Sequence, residues 1–410
     1  MSNPLVTIVT PSFNQGPFIR ATIESVLSQN YEPIEYIIMD GGSTDETPSV
    51  VKDYSSRLTW ISERDRGQSH AINKGFQRAN GSIVSWINSD DWILPGAVAS
   101  AVAGFAAHPS AGAVYGEGYL LDRAGQITGR FPCTEPMNLW KLVHLSDYVL
   151  QQTVYFRRDA VHEAGYLRED LHYAMDWDIL IRVANRYGLH YIPEYMGCLR
   201  EYPEAKSFSG GAARIREIGA ILREHTGLRY PPGYVVYGLD TYRKIWCESI
   251  ASRAPGFLRP ISRRVESLLT TICGIWIETT IRNSQGWYTD QWAGPEVKYM
   301  LPRAASGWLI LSGKIPDGDS QRLTILADRT RIAEKSFEPG EFEWRVPVRC
   351  TSPDRPIDLR FKSSRWFTPG IQEWARTWRR LSYILRSVRF QPASEQESDS
   401  MRARAARLAV

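Results

Sequence analysis

A chain of 410 residues with 43% hydrophobic and 23% charged composition has the apolar content of an ordinary globular protein with two or three folded cores. A formal net charge of +4 and a pI near 8.7 are too mild to imply a nucleic-acid partner, and no DNA- or RNA-binding signature accompanies them. The cysteines, Cys133, Cys198, Cys247, Cys273 and Cys350, are scattered and lack C-x-x-C spacing, which disfavours a disulfide framework or a zinc site and fits a reducing cytoplasm.

The segment Met1-Ser2-Asn3-Pro4 lacks the basic and apolar regions of a signal peptide and leads into a buried strand, Leu5 to Val9, ending at Thr10-Pro11-Ser12. Ile19, Ile23, Val26 and Leu27 have helical spacing and precede a second strand, Glu35 to Met39, which ends at Asp40-Gly41-Gly42-Ser43-Thr44-Asp45. Thr59 to Ser62 reads as a third strand, Ser69 to Arg78 as a helix and Ile83 to Ile87 as a fourth strand, with a further helix from near Leu94-Pro95. This alternation is the sequence form of a βαβ sheet, whose ligands bind beyond the carboxyl ends of the strands.

The fourth strand delivers Asn88-Ser89-Asp90-Asp91 to that rim. On extended chain Asn88 and Asp90 face one way and Asp91 the other, so one side offers oxygens to a ribose and a divalent cation. The same four residues suit a turn and a helix N-cap, and taken alone the two readings stay open. No G-x-G-x-x-G follows the first strand, which counts against a nicotinamide dehydrogenase.

Thr10-Pro11-Ser12-Phe13-Asn14, Asp40 to Asp45, Asp65-Arg66-Gly67-Gln68 with Ala71-Ile72-Asn73-Lys74-Gly75, and Trp86 to Asp91 resemble, in order and spacing, the motifs of family 2 glycosyltransferases with the GT-A fold. The resemblance covers about residues 4 to 225 and implies a Rossmann-like mixed α/β sheet flanked by helices. It also implies a nucleotide-sugar donor and a Mn2+ or Mg2+ cofactor. Thr10, Pro11 and Asn14 would meet base and ribose, Asp40 would accept from the base, and Gly41 would let backbone approach it closely. Arg66 and Lys74 are the cations for phosphate or donor sugar, and Gln68 and Asn73 offer amide hydrogen bonds. By the same resemblance Asn88 and Ser89 would face the donor, with Asp90 as the metal ligand and Asp91 supporting it. Asn88 stands where the family commonly has Asp.

Met175-Asp176-Trp177-Asp178 resembles the family's Glu-Asp-aromatic-Asp segment at a helix head, with Met175 in place of Glu. The resemblance makes Asp176 the base that takes the acceptor hydroxyl's proton in an inverting displacement, and puts Trp177 on the acceptor side. Alone, Asp176 equally suits the N-terminal turn of a helix. Gln151 to Arg158 resembles the family's preceding strand, which would turn Gln152 to the acceptor, while Arg200 and Lys206-Ser207 sit where the family often has a loop closing over the diphosphate. Tyr202 stands near the place of a metal-binding His. The Gln-x-x-Arg-Trp motif of processive synthases is absent, which points to single additions onto a glycan or lipid-linked glycan.

Four regions follow: a catalytic domain over 1–229, a helical, basic amphipathic connector over 230–285, a β-sandwich over 286–392 and a disordered tail over 393–410. The connector either packs on the catalytic domain or lies against anionic lipid, making the protein cytoplasmic with a peripheral membrane contact; the apolar run Leu268 to Ile281 is too short to span a bilayer. Alternating runs at Trp308 to Leu311, Leu323 to Ala327, Phe342 to Val346 and Ile357 to Phe361 carry the sandwich pattern. Trp287, Tyr288, Trp292, Trp366, Trp374 and Trp378 either stack on sugar rings or fill a core. Two rival functions remain at this level: a nucleotidyltransferase on a related α/β fold, and a non-catalytic glycan-binding protein working through the sandwich.

Overall fold

The computed structural model describes residues 3–132, 134–206, 210–253, 285, 287, 291–302, 306–318, 320–349, 356–366 and 381–393. Most of the expected connector beyond Arg253, the tail from Ser394, and Tyr288, Trp374 and Trp378 lie outside the described residues. The chain divides into two compact units. One runs to Met137 and resumes from Ser146 to Arg229; the other joins Asn138–Leu145 to the chain from Tyr230 onward.

In the first unit, β1 (Val6–Ser12), β2 (Ile34–Asp40), β3 (Thr59–Ser62) and β4 (Ile83–Trp86) form a parallel half-sheet in the order β3-β2-β1-β4. Helices α1 (Gly16–Leu27), α2 (Thr47–Lys52) and α3 (Gln68–Arg78) make the crossovers. Every residue of β1 is buried, as a strand covered on both faces requires. It runs on through Thr10-Pro11-Ser12, where the sequence pattern suggests an end. The Ile87 N–H donates to Val9 O and closes the ladder with β4, so Pro11, of the same parity, faces a side where no strand needs its missing N–H.

The other half of this sheet is mixed. Strands β5 (Trp92–Ile93), β6 (Ala113–Leu121), β8 (Tyr155–Arg157) and β9 (Leu189–Arg200) continue the order as β4-β8-β6-β9-β5, and β7 (Ile127–Arg130) pairs with β6. The long strand β9, parallel to β6, has no counterpart among the sequence expectations. It captures Trp92 and Ile93 opposite Cys198 and Gly197, so α4 (Ala97–Ala107) starts later than Leu94-Pro95 suggests. The segment from Gln151, expected as strand, opens as a 3-10 turn over Gln151–Thr153 and becomes strand only at Tyr155. Helices α6 (Arg158–Glu163), α7 (Met175–Tyr187) and α8 (Gly211–Thr226) complete the unit. Trp86, 1% exposed, stacks on Phe156 at 5.8 Å and meets Phe76 edge-on at 6.0 Å, locking α3 and β8 to the end of β4. This is the GT-A-like arrangement, a curled mixed sheet flanked by helices.

The second unit contains α5 (Leu139–His144), α9 (Pro232–Arg253) and two antiparallel sheets. One orders β10 (Trp292–Ala293), β17 (Tyr383–Pro392), β12 (Gly307–Ile315) and β15 (Gly340–Val348); the other orders β11 (Glu296–Leu301), β16 (Ile357–Ser363), β13 (Gln321–Ala327) and β14 (Thr330–Phe337). Alternation of buried and open positions along β12 and β15 in the first sheet, and along β13 and β16 in the second, gives each sheet an apolar face, and Leu309, Leu311, Leu323, Ile325, Trp344, Leu359 and Tyr383 fill the sandwich core. Trp287 packs against this core and donates through Nε1 to Leu385 O, whereas Trp366 is 47% exposed. Among the described residues no helix is long and apolar enough to cross a membrane.

The 3-10 turn sits against β9 because position 197 is glycine. A Cβ there would lie 2.6 Å from Gln152 O, a backbone atom that cannot move away alone. Gly197→Ala is therefore expected to destabilise the protein by about 1–3 kcal/mol, the usual cost of overpacking, seen as a lower urea midpoint at unchanged slope. An unchanged midpoint would show that the turn is not held by this contact.

Candidate active site at the strand ends

The carboxyl ends of β1, β2 and β3 are tied together by side chains. Asp40, 1% exposed, accepts from the Ser43 N–H and hydroxyl and from the Ser62 hydroxyl, the two hydroxyls each at 2.5 Å. Asn14 adopts a left-handed φ of 52°, donates its N–H to Ser43 Oγ at 2.8 Å and accepts the Thr44 N–H at 2.9 Å. These bonds join the loop after β1 to the loop after β2, and Phe13 beside them is 59% exposed. Thr10, expected with Pro11 to meet base and ribose, is fully buried and 3.0 Å from the Tyr36 hydroxyl; Pro11 is buried next to it in the chain. Gly41 donates to Ser12 O at 2.8 Å, and a Cβ there would stand 2.7 Å from Asp65 Oδ2, so only glycine admits the β3–α3 loop so close.

Asn88 to Asp91 is not extended. The Asp91 N–H donates to Asn88 O at 3.1 Å and closes a turn, which corrects the expected alternation: Asn88 and Asp91 share a side and Asp90 stands apart. The Asp91 carboxylate, 1% exposed, accepts from Asn88 Nδ2 at 3.0 Å, from Gln152 Nε2 at 2.6 Å and from the Arg200 N–H at 2.9 Å. Burial and the neighbouring Asp90 charge push its pKa up against the pull of those three donors. Asp91, expected to support a cation beside Asp90, thus has both oxygens committed to protein donors, and Gln152, expected at the acceptor, spends its amide on Asp91 while 4% exposed. Ser89 is buried within the turn.

Asp90 is partly exposed and accepts from the Tyr202 hydroxyl at 2.7 Å, while its backbone carbonyl accepts from Arg200 Nε at 2.8 Å. Burial raises its carboxyl pKa, with the Tyr202 hydrogen bond opposing. Arg200 also donates to Asp122 O and Arg123 O and lies over Trp92 and Phe18 at 5.1 Å each, so it clamps the turn from β9.

A side-chain relay leaves the turn in the other direction. Gln68 Nε2, at the head of α3, donates to Asn88 Oδ1 at 2.7 Å, and Lys206 Nζ donates to Gln68 Oε1 at 2.8 Å. Arg66 pairs with Glu169 and Lys74 with Glu63, at 2.5 and 2.9 Å. Asn73 turns inward and exchanges both amide groups with the backbone of Leu167.

Asp176 sits in the first turn of α7 and accepts the Trp177 N–H at 2.9 Å. Burial raises its carboxyl pKa, while the Arg214 and Lys206 cations oppose the shift. Its neighbour Asp147, which carries no motif and escaped the sequence reading, is held well above the ordinary carboxylate range by burial and by the Asp176 charge. Trp177 is 2% exposed and belongs to the core. Asp178, fully buried, pairs with Arg182 at 2.7 Å and His225 at 3.0 Å, which fixes α7 to the end of α8.

Among the described residues no group of three or more His, Cys, Asp or Glu side chains is placed to hold a metal ion. The donor set nevertheless suits a hard divalent cation that brings its other ligands with it. Asp90 offers a carboxylate at the rim, and Mg2+ or Mn2+ bound through one carboxylate plus substrate phosphates and water needs no further protein ligand.

A parallel half-sheet whose polar strand ends surround a carboxylate turn is an open α/β architecture, in which ligands bind beyond the carboxyl ends of the strands. Residues 7–159 match the family model of glycosyl transferase family 2. An uncharacterized glycosyltransferase of Mycobacterium tuberculosis is 30% identical over 187 residues, covering 45% of this chain and 70% of that protein. The chain belongs to glycosyl transferase family 2. A glycosyltransferase of Rickettsia prowazekii, also uncharacterized, is 33% identical over 93 residues, 23% of this chain and 29% of its own length, so the match spans under a third of that relative. Among solved structures, a mannosyltransferase from Pyrobaculum calidifontis in complex with GDP-Man and Mn2+ superposes with a TM-score of 0.46 at 19% identity, over 68% of this chain and 84% of that one.

The Asp147–Asp176 pair has a measurable consequence. Below about pH 4 the folded and unfolded states both hold the Asp147 proton. At higher pH, up to the raised folded value, only unfolding releases it, so this group makes stability fall as pH rises. Asp147→Asn is expected to match the wild type near pH 3.5 and to exceed it in urea midpoint at pH 7. Equal midpoints at pH 7 would mean that Asp147 ionises normally.

Proposed function

We propose that this glycosyltransferase is an inverting, non-processive enzyme that moves one sugar from a nucleotide-sugar donor to a hydroxyl of a glycan or lipid-linked glycan. The observation that carries this reading is the relay Lys206–Gln68–Asn88–Asp91, which joins the α3 head, the β4 turn and the loop after β9, with Asp90 at one end and Asp176 close to Lys206 at the other. In this reading a cation at Asp90 and the half-buried Asp176 carboxylate flank one rim, as a displacement between a diphosphate leaving group and an incoming hydroxyl requires.

In this reading Phe13, Asn14, Asp40 and Gly41 form the base and ribose side, and Asn88 and Ser89 face the ribose and diphosphate through the turn. Asp90 holds a divalent cation together with the donor's diphosphate; when bound, that cation neutralises charge developing on the leaving nucleoside diphosphate. Asp176 accepts the proton of the acceptor hydroxyl while the hydroxyl oxygen forms a bond to the anomeric carbon and the carbon–oxygen bond to diphosphate breaks. Attack opposite the leaving group inverts the anomeric configuration. A carboxyl pKa raised by burial suits Asp176 to this task, because a base works best with its pKa near the working pH. The exposed Arg66–Glu169 pair contributes only about 0–1 kcal/mol, so Arg66 can exchange Glu169 for a phosphate at little cost.

The catalytic unit is residues 1–229 and the sandwich of 286–392 serves the glycan or assembly. The lack of a Gln-x-x-Arg-Trp segment supports single additions. Family membership favours glycosyl transfer over the nucleotidyltransferase and lectin readings. We place the enzyme in the cytoplasm, with contact to the inner membrane face through the connector's Arg253, Arg259, Arg263 and Arg264.

Thermal shift with UDP, GDP, dTDP and CMP, each with and without Mn2+, is expected to single out one diphosphate whose stabilisation depends on the metal. Asp90→Ala should lose the metal-dependent part of that shift. Asp176→Asn should retain the whole shift while donor turnover falls by about 100-fold or more. Full turnover by Asp176→Asn would overturn the base assignment; an undiminished metal-dependent shift in Asp90→Ala would overturn the cation site.

A further inference from the structure

Asp176 lies in the first turn of a helix that starts after Ala174, and the chain entering that helix, His172 to Ala174, presents three backbone N–H groups with no partner within the helix. Those groups are met from elsewhere. Glu217, on α8, accepts the N–H of Tyr173 at 2.6 Å and of Ala174 at 2.7 Å through one oxygen, and that of His172 at 2.8 Å through the other. Three successive N–H groups converging on one carboxylate fix both the direction and the height of the entering chain, much as a backbone nest holds an anion. Charge-assisted bonds of this length are about twice as strong as neutral ones.

Further contacts join the two helices on either side of this one. Tyr173 is also wedged against the start of α8, where a Cβ on Gly210 would stand 2.7 Å from its ring. Further along α7, Asp178 meets His225 at the end of α8 at 3.0 Å. Helix α8 therefore grips α7 before and after Asp176. The chain leading into α8 carries Tyr202, which donates to Asp90, and Lys206, which donates to Gln68. One stretch of chain, 202 to 225, thus bears on the cation site, the relay and the base.

We propose that Glu217 is a positioning residue for transfer: by clasping the backbone of His172 to Ala174 it sets where the Asp176 carboxylate stands relative to the acceptor hydroxyl. The proposal rests on Asp176 being the base. It assigns Glu217 no contact with substrate and no proton transfer. Loss of the clasp shifts the base without touching the donor, so its effect falls on kcat and leaves donor KM alone.

The test uses the full-length chain with Mn2+ and a panel of UDP-N-acetylglucosamine, UDP-glucose and GDP-mannose, with nucleoside diphosphate release read as donor hydrolysis, water standing in for the acceptor hydroxyl. For the donor turned over by the wild type, Glu217→Ala is expected to lower kcat about 100-fold, the scale of a base displaced by about 1 Å, with donor KM within about 2-fold. Glu217→Gln keeps one oxygen for Tyr173 and Ala174 but turns an N–H toward that of His172; it is expected to lose about 10-fold and to carry the test if the alanine variant does not fold. Wild-type kcat in either variant, or a proportional change in kcat and donor KM, overturns the clasp. Asp176→Asn, measured alongside, separates the two claims: if it is inactive and Glu217→Ala is not impaired, only the clasp fails; if it is fully active, the base reading fails first.

Discussion

A carboxylate taken out of water must find donors, and Asp91 finds three, each from a different part of the chain: Asn88 in its own turn, Gln152 in the 3-10 turn and the Arg200 backbone on β9. The rest of the site depends on this. Leaving any one donor without its partner costs about 1–3 kcal/mol, so the three elements are held in a single register by one side chain. Gly197 allows the 3-10 turn to come near enough for Gln152 to reach, and Arg200 adds its guanidinium over the backbone carbonyls of Asp90, Asp122 and Arg123.

Because Asp91 is committed inward, adjacent aspartates divide their work. Asp90 is turned toward the rim and its Tyr202 partner is a neutral hydroxyl, which leaves the carboxylate's charge available to a cation. The same fixed turn presents Asn88 to Gln68, and through Gln68 to Lys206, so polar contacts run from the core carboxylate to the loop after β9. Charge is arranged with similar economy around Asp176. Arg214 and Lys206 oppose the rise caused by burial, while Asp147 stands beside it as a second acid whose own ionisation is suppressed.

Much of the first half-sheet was legible in the sequence because its strands are continuous apolar runs and its helices have clear spacing, as with Ile19, Ile23, Val26 and Leu27. The loops at Asp40 and Asn88 were also placed at the strand ends correctly. What the sequence could not reveal depends on distant partners. Alternation put Asn88 and Asp90 on one side, but the turn closed by Asn88 O pairs Asn88 with Asp91 instead. Strand β9 passes from Leu189 to Arg200 with Pro193, Glu194 and Gly197 inside it, which masks its period of two, and β5 is a two-residue strand that exists only because β9 pairs with it. Asp147 and Glu217 carry no local motif. They become visible only once the fold brings them to Asp176 and to the backbone before α7.

The central claim is that one aspartate of the turn serves the cation and the other serves the fold. A crystal structure with a nucleoside diphosphate and Mn2+ tests it most directly. The account predicts Mn2+ about 2.0–2.2 Å from an Asp90 oxygen, its other positions taken by diphosphate and water, with the Asp91 bonds to Asn88, Gln152 and Arg200 intact. Mn2+ coordinated by Asp91, or a diphosphate bound with its cation away from Asp90, would contradict it.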